Sequence, residues 1–132
     1  MSTPDAKTVV KRYFEMALSG DPNLPSLFDD EIRWSVPEGS ALGGVHAGRD
    51  AVLKLLDAAF TLYDGPTMKV EHEVLFGEGE WVCVLLHMDA KTAKGRDWSS
   101  DYAFVFRVVG EKILEVREFP DTKRLAEIVF AD

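Results

Sequence analysis

Apolar and polar residues alternate along much of the C-terminal half of the chain. From Asp101 to Val108 the order DYAFVFRV places Tyr102, Phe104, Phe106 and Val108 on one face and Asp101, Ala103, Val105 and Arg107 on the other, because successive side chains of a strand point to opposite sides. A run this rich in aromatic and β-branched residues predicts a strand. Gly110-Glu111-Lys112 is short and polar enough to turn the chain back into a second strand, so Trp98–Phe119 reads as one antiparallel hairpin with an aromatic face.

The remaining elements follow from the same bookkeeping. Thr3-Pro4-Asp5 has the composition of a helix start, with a hydroxyl cap, a proline at the first helical position and an acid near the positive end of the dipole. Val9, Val10, Tyr13, Phe14, Ala17 and Leu18 recur at three- and four-residue spacing, which predicts a helix to Ser19, stopped by Gly20-Asp21-Pro22. A second short helix is expected over 23–29, a strand over 32–36, and a loop from Glu38 to Gly48, which holds four glycines. Helical spacing returns from Arg49 to Tyr63. Strands are expected over 67–76 and 80–90 with a turn at Gly77–Gly79, which with the hairpin makes a four-strand meander. Asp121 or Thr122 caps a last short helix whose Leu125, Ile128 and Val129 face the core. The order ααβα, four strands and a terminal helix predicts an α+β fold with its helices on one sheet face.

Composition narrows the functional classes. The 132 residues suffice for a single domain, 1–132, with its own core. Net charge is −8, from 15 Lys and Arg against 23 Asp and Glu, without a basic stripe, so nucleic acid is not an expected partner. The single cysteine, Cys83 in WVCVLL, excludes a disulfide framework and is expected as a small buried hydrophobe. No apolar run is long enough for a membrane span and no leader pattern opens the sequence, which points to the cytoplasm. No two His, Cys or acidic residues beyond His87-x-Asp89 show a ligand spacing, and the glycine-rich loop lacks the phosphate-loop lysine, so neither metal nor other cofactor is expected.

The strand and loop WSVPEGSALGGVHAGRDAV and the later FVFRVVGEKILEVREFPDT resemble the nuclear transport factor 2-like superfamily, and within it the SnoaL-like and ketosteroid isomerase-related branch. The resemblance implies a cone-shaped, cystatin-like fold: a strongly curved, mainly antiparallel sheet wrapped around N-terminal helices, with a pocket between them. Mapped onto this chain, the pocket wall comprises Tyr13, Trp34, Phe60, Tyr102, Phe104 and Phe106, and His46 in the glycine-rich loop lies at its mouth. It also implies a homodimer joined through the outer sheet face around Ala103 and Val105.

The same resemblance orders the candidate chemistry. A ketosteroid isomerase needs a carboxylate base, a tyrosine and a protonated acid. Tyr13 matches the tyrosine, but the base position holds Val36 and the acid position Phe104, with Glu38 a poor stand-in on a loop, so steroid isomerisation is not expected. The SnoaL-type cyclases carry an acid on the last strand, where Glu118 stands in VREF. In an aromatic pocket its pKa would rise towards neutrality, suiting proton transfer from a carbon acid or activation of water. His87 and Asp89 share a strand face in LLHMDA and are expected to join Glu118 in one polar cluster, with His87 as proton shuttle. The implied function is cofactor-free acid-base chemistry, of isomerase, cyclase or hydrolase type, on a small apolar organic molecule. A non-catalytic ligand binder and a dimerisation module whose cone is filled by side chains are the alternatives. An open cavity with a carboxyl at its end separates the first two from the third.

Overall fold

The computed structural model describes residues 5–132. Helix α1 spans Ala6–Ser19 and is capped by Asp5, whose Oδ1 accepts from the Thr8 N–H at 2.8 Å. The expected contribution of Thr3 and Pro4 lies outside the described residues. Gly20 ends the helix in the left-handed conformation, φ 70°, with its N–H donating to the Met16 carbonyl, as a residue without Cβ does at little steric cost. The short helix expected over 23–29 is a single 3-10 turn, Leu24–Leu27, because strand β1 begins at Phe28 and runs to Val36. Four residues earlier than the alternation suggested, Phe28 and Ile32 are already fully buried.

The glycine-rich segment is more than a loop: Gly44–Ala47 forms strand β2, paired antiparallel with β1. Helix α2 covers Arg49–Phe60 and stops three residues short of Tyr63, which makes a bridge to Thr92 instead. Then come β3 (Lys69–Glu78), β4 (Trp81–Lys91), β5 (Asp97–Val109) and β6 (Lys112–Phe119). The β3–β4 turn lies at Gly79–Glu80, later than expected, with Gly79 at φ 59°. Asp121 caps helix α3, Thr122–Arg124, which continues as one π-helical turn, Leu125–Val129.

All six strands form one curled sheet in the order β2-β1-β6-β5-β4-β3. The expected meander holds from β3 to β6. What pairwise alternation could not show is that β6 also pairs in parallel with β1, Trp34 beside Val116. Helices α1 and α2 and the C-terminal turn pack on one face, as expected of an α+β fold with segregated helices.

Register decides which side chains that inner face receives. Tyr102, Phe104 and Phe106 of β5 sit opposite Leu86, Val84 and Val82 of β4, and all six are buried. Residues of the other parity point outward. Cys83 therefore lies part-exposed on the outer face opposite Val105, not in the core, because its neighbours Val82 and Val84 take the inner positions. Phe106 is fully buried at the centre, with ring centroids 5.8 Å from Tyr13 and 5.7 Å from Phe14. Truncating it removes contacts with both α1 and the sheet. Phe106→Ala is expected to cost about 3–5 kcal/mol, read as a lower urea midpoint with an unchanged slope.

A candidate active site around Glu118

A cavity of about 140 Å³ opens between the inner sheet face, α1, α2 and the C-terminal segment. Each element contributes through its own periodicity. Tyr13, Phe14 and Ala17 come from the apolar stripe of α1, and Leu55, Leu56, Ala59 and Phe60 from that of α2. Trp34 and Val36 come from β1, Leu86 and Met88 from β4, and Tyr102 and Phe104 from β5. Leu125 and Phe130 close the end. An apolar cavity of this kind with a few converging polar groups is the usual form of a small-molecule site.

Glu118 is the acid in that wall. It pairs with Phe104 across β5 and β6, and its side chain accordingly faces inward with the aromatic row. Trp34 Nε1 donates to Glu118 Oε1 at 3.0 Å. Glu118 is half-buried and lines the cavity. Desolvation pushes its pKa up from the ordinary 4.5, opposed by the indole hydrogen bond, which favours the carboxylate. Tyr13, 4% exposed, lies among the rings of Phe14, Phe28, Trp34 and Phe106, and its hydroxyl has no hydrogen-bond partner among the described residues. Burial raises its pKa, and the nearby Glu118 charge adds to the rise, so it remains a neutral O–H donor.

The expected wall residues divide. Tyr13, Trp34, Phe60, Tyr102 and Phe104 do line the cavity. Phe106 does not, because it lies beneath Tyr13 and Phe14 as core packing. His46 is not in the wall either: its Nε2 sits 2.9 Å from the Leu42 carbonyl and holds the loop whose Ser40 and Leu42 form part of the rim. That loop is tight enough that a Cβ on Gly43 would fall 2.4 Å from the Pro37 carbonyl oxygen. Val36 and Phe104 line the cavity at the places where a steroid isomerase needs acids, and Glu38 is exposed.

The expected cluster of His87, Asp89 and Glu118 does not form. His87 lies opposite Asp101 and Asp89 opposite Ser99, both on the outer face, while Leu86 and Met88 take the inner positions. The His87 Nδ1 is 2.8 Å from Asp101 Oδ1, and its Nε2 is 3.1 Å from Asp89 and 2.9 Å from Ser99 Oγ. These hydrogen bonds, first that of Asp101, raise the His87 pKa. Donor atoms of Glu73, His87 and Asp101 also lie within 4.8 Å of one another there. They come from three strands, so no sequence spacing revealed them.

Sequence reasoning missed two aromatic groups beside Tyr102. Tyr63, beyond the end of α2, lines the cavity. Trp98, 1% exposed, donates from Nε1 to the Tyr102 hydroxyl oxygen at 3.0 Å. The inward parity that Trp98 shares with Tyr102 was the available signal.

Residues 10–116 match the family model of the SnoaL-like domain. The chain belongs to the SnoaL-like family. The matched stretch ends two residues before Glu118, so the carboxyl rests on geometry. Among solved structures, an NTF2-like protein from Burkholderia xenovorans LB400 shares 26% identity over 98% of both chains with a TM-score of 0.78. Bal32a, from a soil-derived mobile gene cassette, shares 23% over 94% of this chain and 95% of its own, TM-score 0.82. A candidate SnoaL-like polyketide cyclase from Jannaschia sp. CCS1 shares 14% over 96% and 92%, TM-score 0.80. No curated protein matches the chain. The superfamily and fold implied by the two sequence stretches are thus those of this SnoaL-like protein, and among its described residues no helix is long and apolar enough to cross a membrane.

The raised Glu118 pKa has a thermodynamic consequence. Between the ordinary value of 4.5 and the higher folded one, the folded chain binds more protons than the unfolded chain, so this group's contribution to stability falls as pH rises through that window. Glu118→Gln removes the titration. The melting temperature of the variant relative to wild type should therefore climb from pH 4.5 upward, measured by calorimetry at matched ionic strength.

Proposed function

We propose that this SnoaL-like domain binds a small apolar organic molecule and acts on it by cofactor-free proton transfer through Glu118, as a cytoplasmic homodimer. The observation that carries the reading is a carboxyl group facing an aromatic cavity with one neutral hydrogen-bond partner. A general base works best with a pKa near the working pH, and burial moves Glu118 in that direction. In an isomerisation the carboxylate takes a proton from a carbon beside a carbonyl, the electron pair moves onto the carbonyl oxygen, and Tyr13 O–H donates to that oxygen. The proton then returns to a different carbon, so atoms and charge balance without a co-reactant. Cyclisation and hydration use the same carboxylate. His87 and Asp89, on the other side of the sheet, take no part.

The absence of a second acid beside Glu118 in the cavity wall favours one other reading, a ligand binder without turnover. Proton exchange separates the two. With β-tetralone in D2O, followed by NMR, wild type should accelerate α-proton exchange, Glu118→Gln should lose about 10²–10⁴ of that rate, and His87→Ala should keep it. Exchange no faster than in buffer favours the binder, and undiminished exchange in Glu118→Gln removes Glu118 from the chemistry.

The dimer is proposed through the outer sheet face. Val74, Phe76, Trp81, Leu85 and Phe119 are between 39% and 60% exposed there, with Cys83, Ala103 and Val105 among them. A contiguous apolar face of this kind is a common mark of association. Sedimentation equilibrium should give twice the chain mass for wild type and the chain mass for Leu85→Glu. A monomeric wild type overturns it.

A further inference from the structure

We propose that the cavity is a receptor for small organic cations, namely protonated amines carrying one hydrocarbon ring, which it takes in preference to uncharged molecules of the same shape. The inference goes beyond the proton-transfer reading. It uses the placement of Glu118 but does not require turnover.

Three observations point the same way. Among the described residues that line the cavity, Glu118 is the one charged side chain, with no Lys, Arg or His to neutralise it. Its Oε1 accepts from the Trp34 indole, and among the described residues no donor meets its other oxygen. Aromatic rings line the space: Tyr13, Trp34, Phe60, Tyr63 and Phe104 all belong to the wall, with Tyr13–Trp34 and Trp34–Phe104 ring centroids 5.9 and 6.5 Å apart.

An ammonium group satisfies all of these together. Its N–H donates to the open carboxylate oxygen as a charge-assisted bond, and its flanking C–H and N–H groups meet the negative faces of the rings. The hydrocarbon ring fills the apolar remainder. An apolar cavity of about 150 Å³ is known to take a single benzene-sized ring, which matches the 140 Å³ available. An anionic ligand is repelled by the Glu118 carboxylate, against which the Tyr13 hydroxyl offers only a neutral donor. A neutral alcohol gains only an ordinary hydrogen bond.

Cation binding carries a proton signature. Burial keeps Glu118 protonated to higher pH than a free carboxylate, and the ammonium requires the carboxylate form, so binding releases a proton and tightens as pH rises through the folded pKa. The titratable groups facing Glu118 are Tyr13 from α1, Tyr102 from β5 and Tyr63 beyond α2, all shifted upward and neutral throughout. The outer-face His87 is separated from the cavity by the sheet.

The probes are cyclohexylmethylamine, cyclohexylmethanol and cyclohexanecarboxylate, with affinities from isothermal titration calorimetry between pH 5 and 8. At pH 8 the amine is expected to bind at least tenfold more tightly than the alcohol, with the carboxylate not binding. Amine affinity should increase with pH, and titrations in buffers of different ionisation enthalpy should register proton release below the plateau. Glu118→Gln should abolish the amine's preference over the alcohol, because the ammonium then meets no opposite charge in the apolar cavity. Equal affinity of amine and alcohol in wild type overturns the proposal, as does an amine preference that survives Glu118→Gln. If that variant fails to fold, the wild-type proton count decides: no proton release with pH-independent amine binding also overturns it. None of these readouts depends on α-proton exchange, so the two readings fail separately.

Discussion

The hydrogen bond from the Trp34 indole to Glu118 is the interaction on which the cavity depends. A carboxyl group placed among phenyl and indole rings loses its water, and an unpaired one would relieve that cost by turning outward or by disrupting the packing. Trp34 answers both demands, since its ring belongs to the apolar wall while its single N–H meets the carboxyl. The bond also spans two strands that run side by side in parallel, β1 and β6. The rest of the wall is arranged around that join: Tyr13 packs on Trp34 from the helix side, and Phe104 faces Glu118 across β5 and β6.

A family match and a site speak to different things. The SnoaL-like match covers most of the helices and strands that shape the cone, but the acid lies past its end. Folds of this breadth host unrelated chemistries, so the function has to be argued from side chains. Here those side chains include a carboxyl, three phenols and, among the described residues, no cation in the cavity wall. That charge pattern is the property in which this member is most sharply defined.

Much of the architecture was legible in the sequence because alternation and helical spacing are local. The inward row of β5 and the stripes of α1 and α2 could be read directly, as could most of the cavity wall. The misplaced residues are those whose position depends on how one strand meets another. His87 and Asp89 share a face with each other, but whether that face is also Glu118's depends on register through two turns. The signal was present: Val82, Val84, Leu86, Met88 and Ala90 form the more apolar parity of β4 and so must be the inner one. Cys83 was misjudged for the same reason. Phe106 has the right parity yet lies too deep, a matter of how closely Tyr13 and Phe14 approach it. The β1–β6 pairing left no trace at all, since a parallel partner 82 positions away, as Val116 is from Trp34, has no turn to announce it.

That same pairing governs the order in which the protein comes into being. β6 is the last strand of the sheet, and it lies between β5 and β1 rather than at an edge. β6 joins β5 through a short turn, but β1 and β2 reach that sheet only when β1 pairs with β6, and until then Trp34 has no carboxyl to meet. Contacts of such sequence separation form late and slow folding. The binding site is therefore complete only once β1 and β6 lie side by side. One parallel strand pairing thus closes the sheet around the aromatic row and brings the indole to the carboxyl.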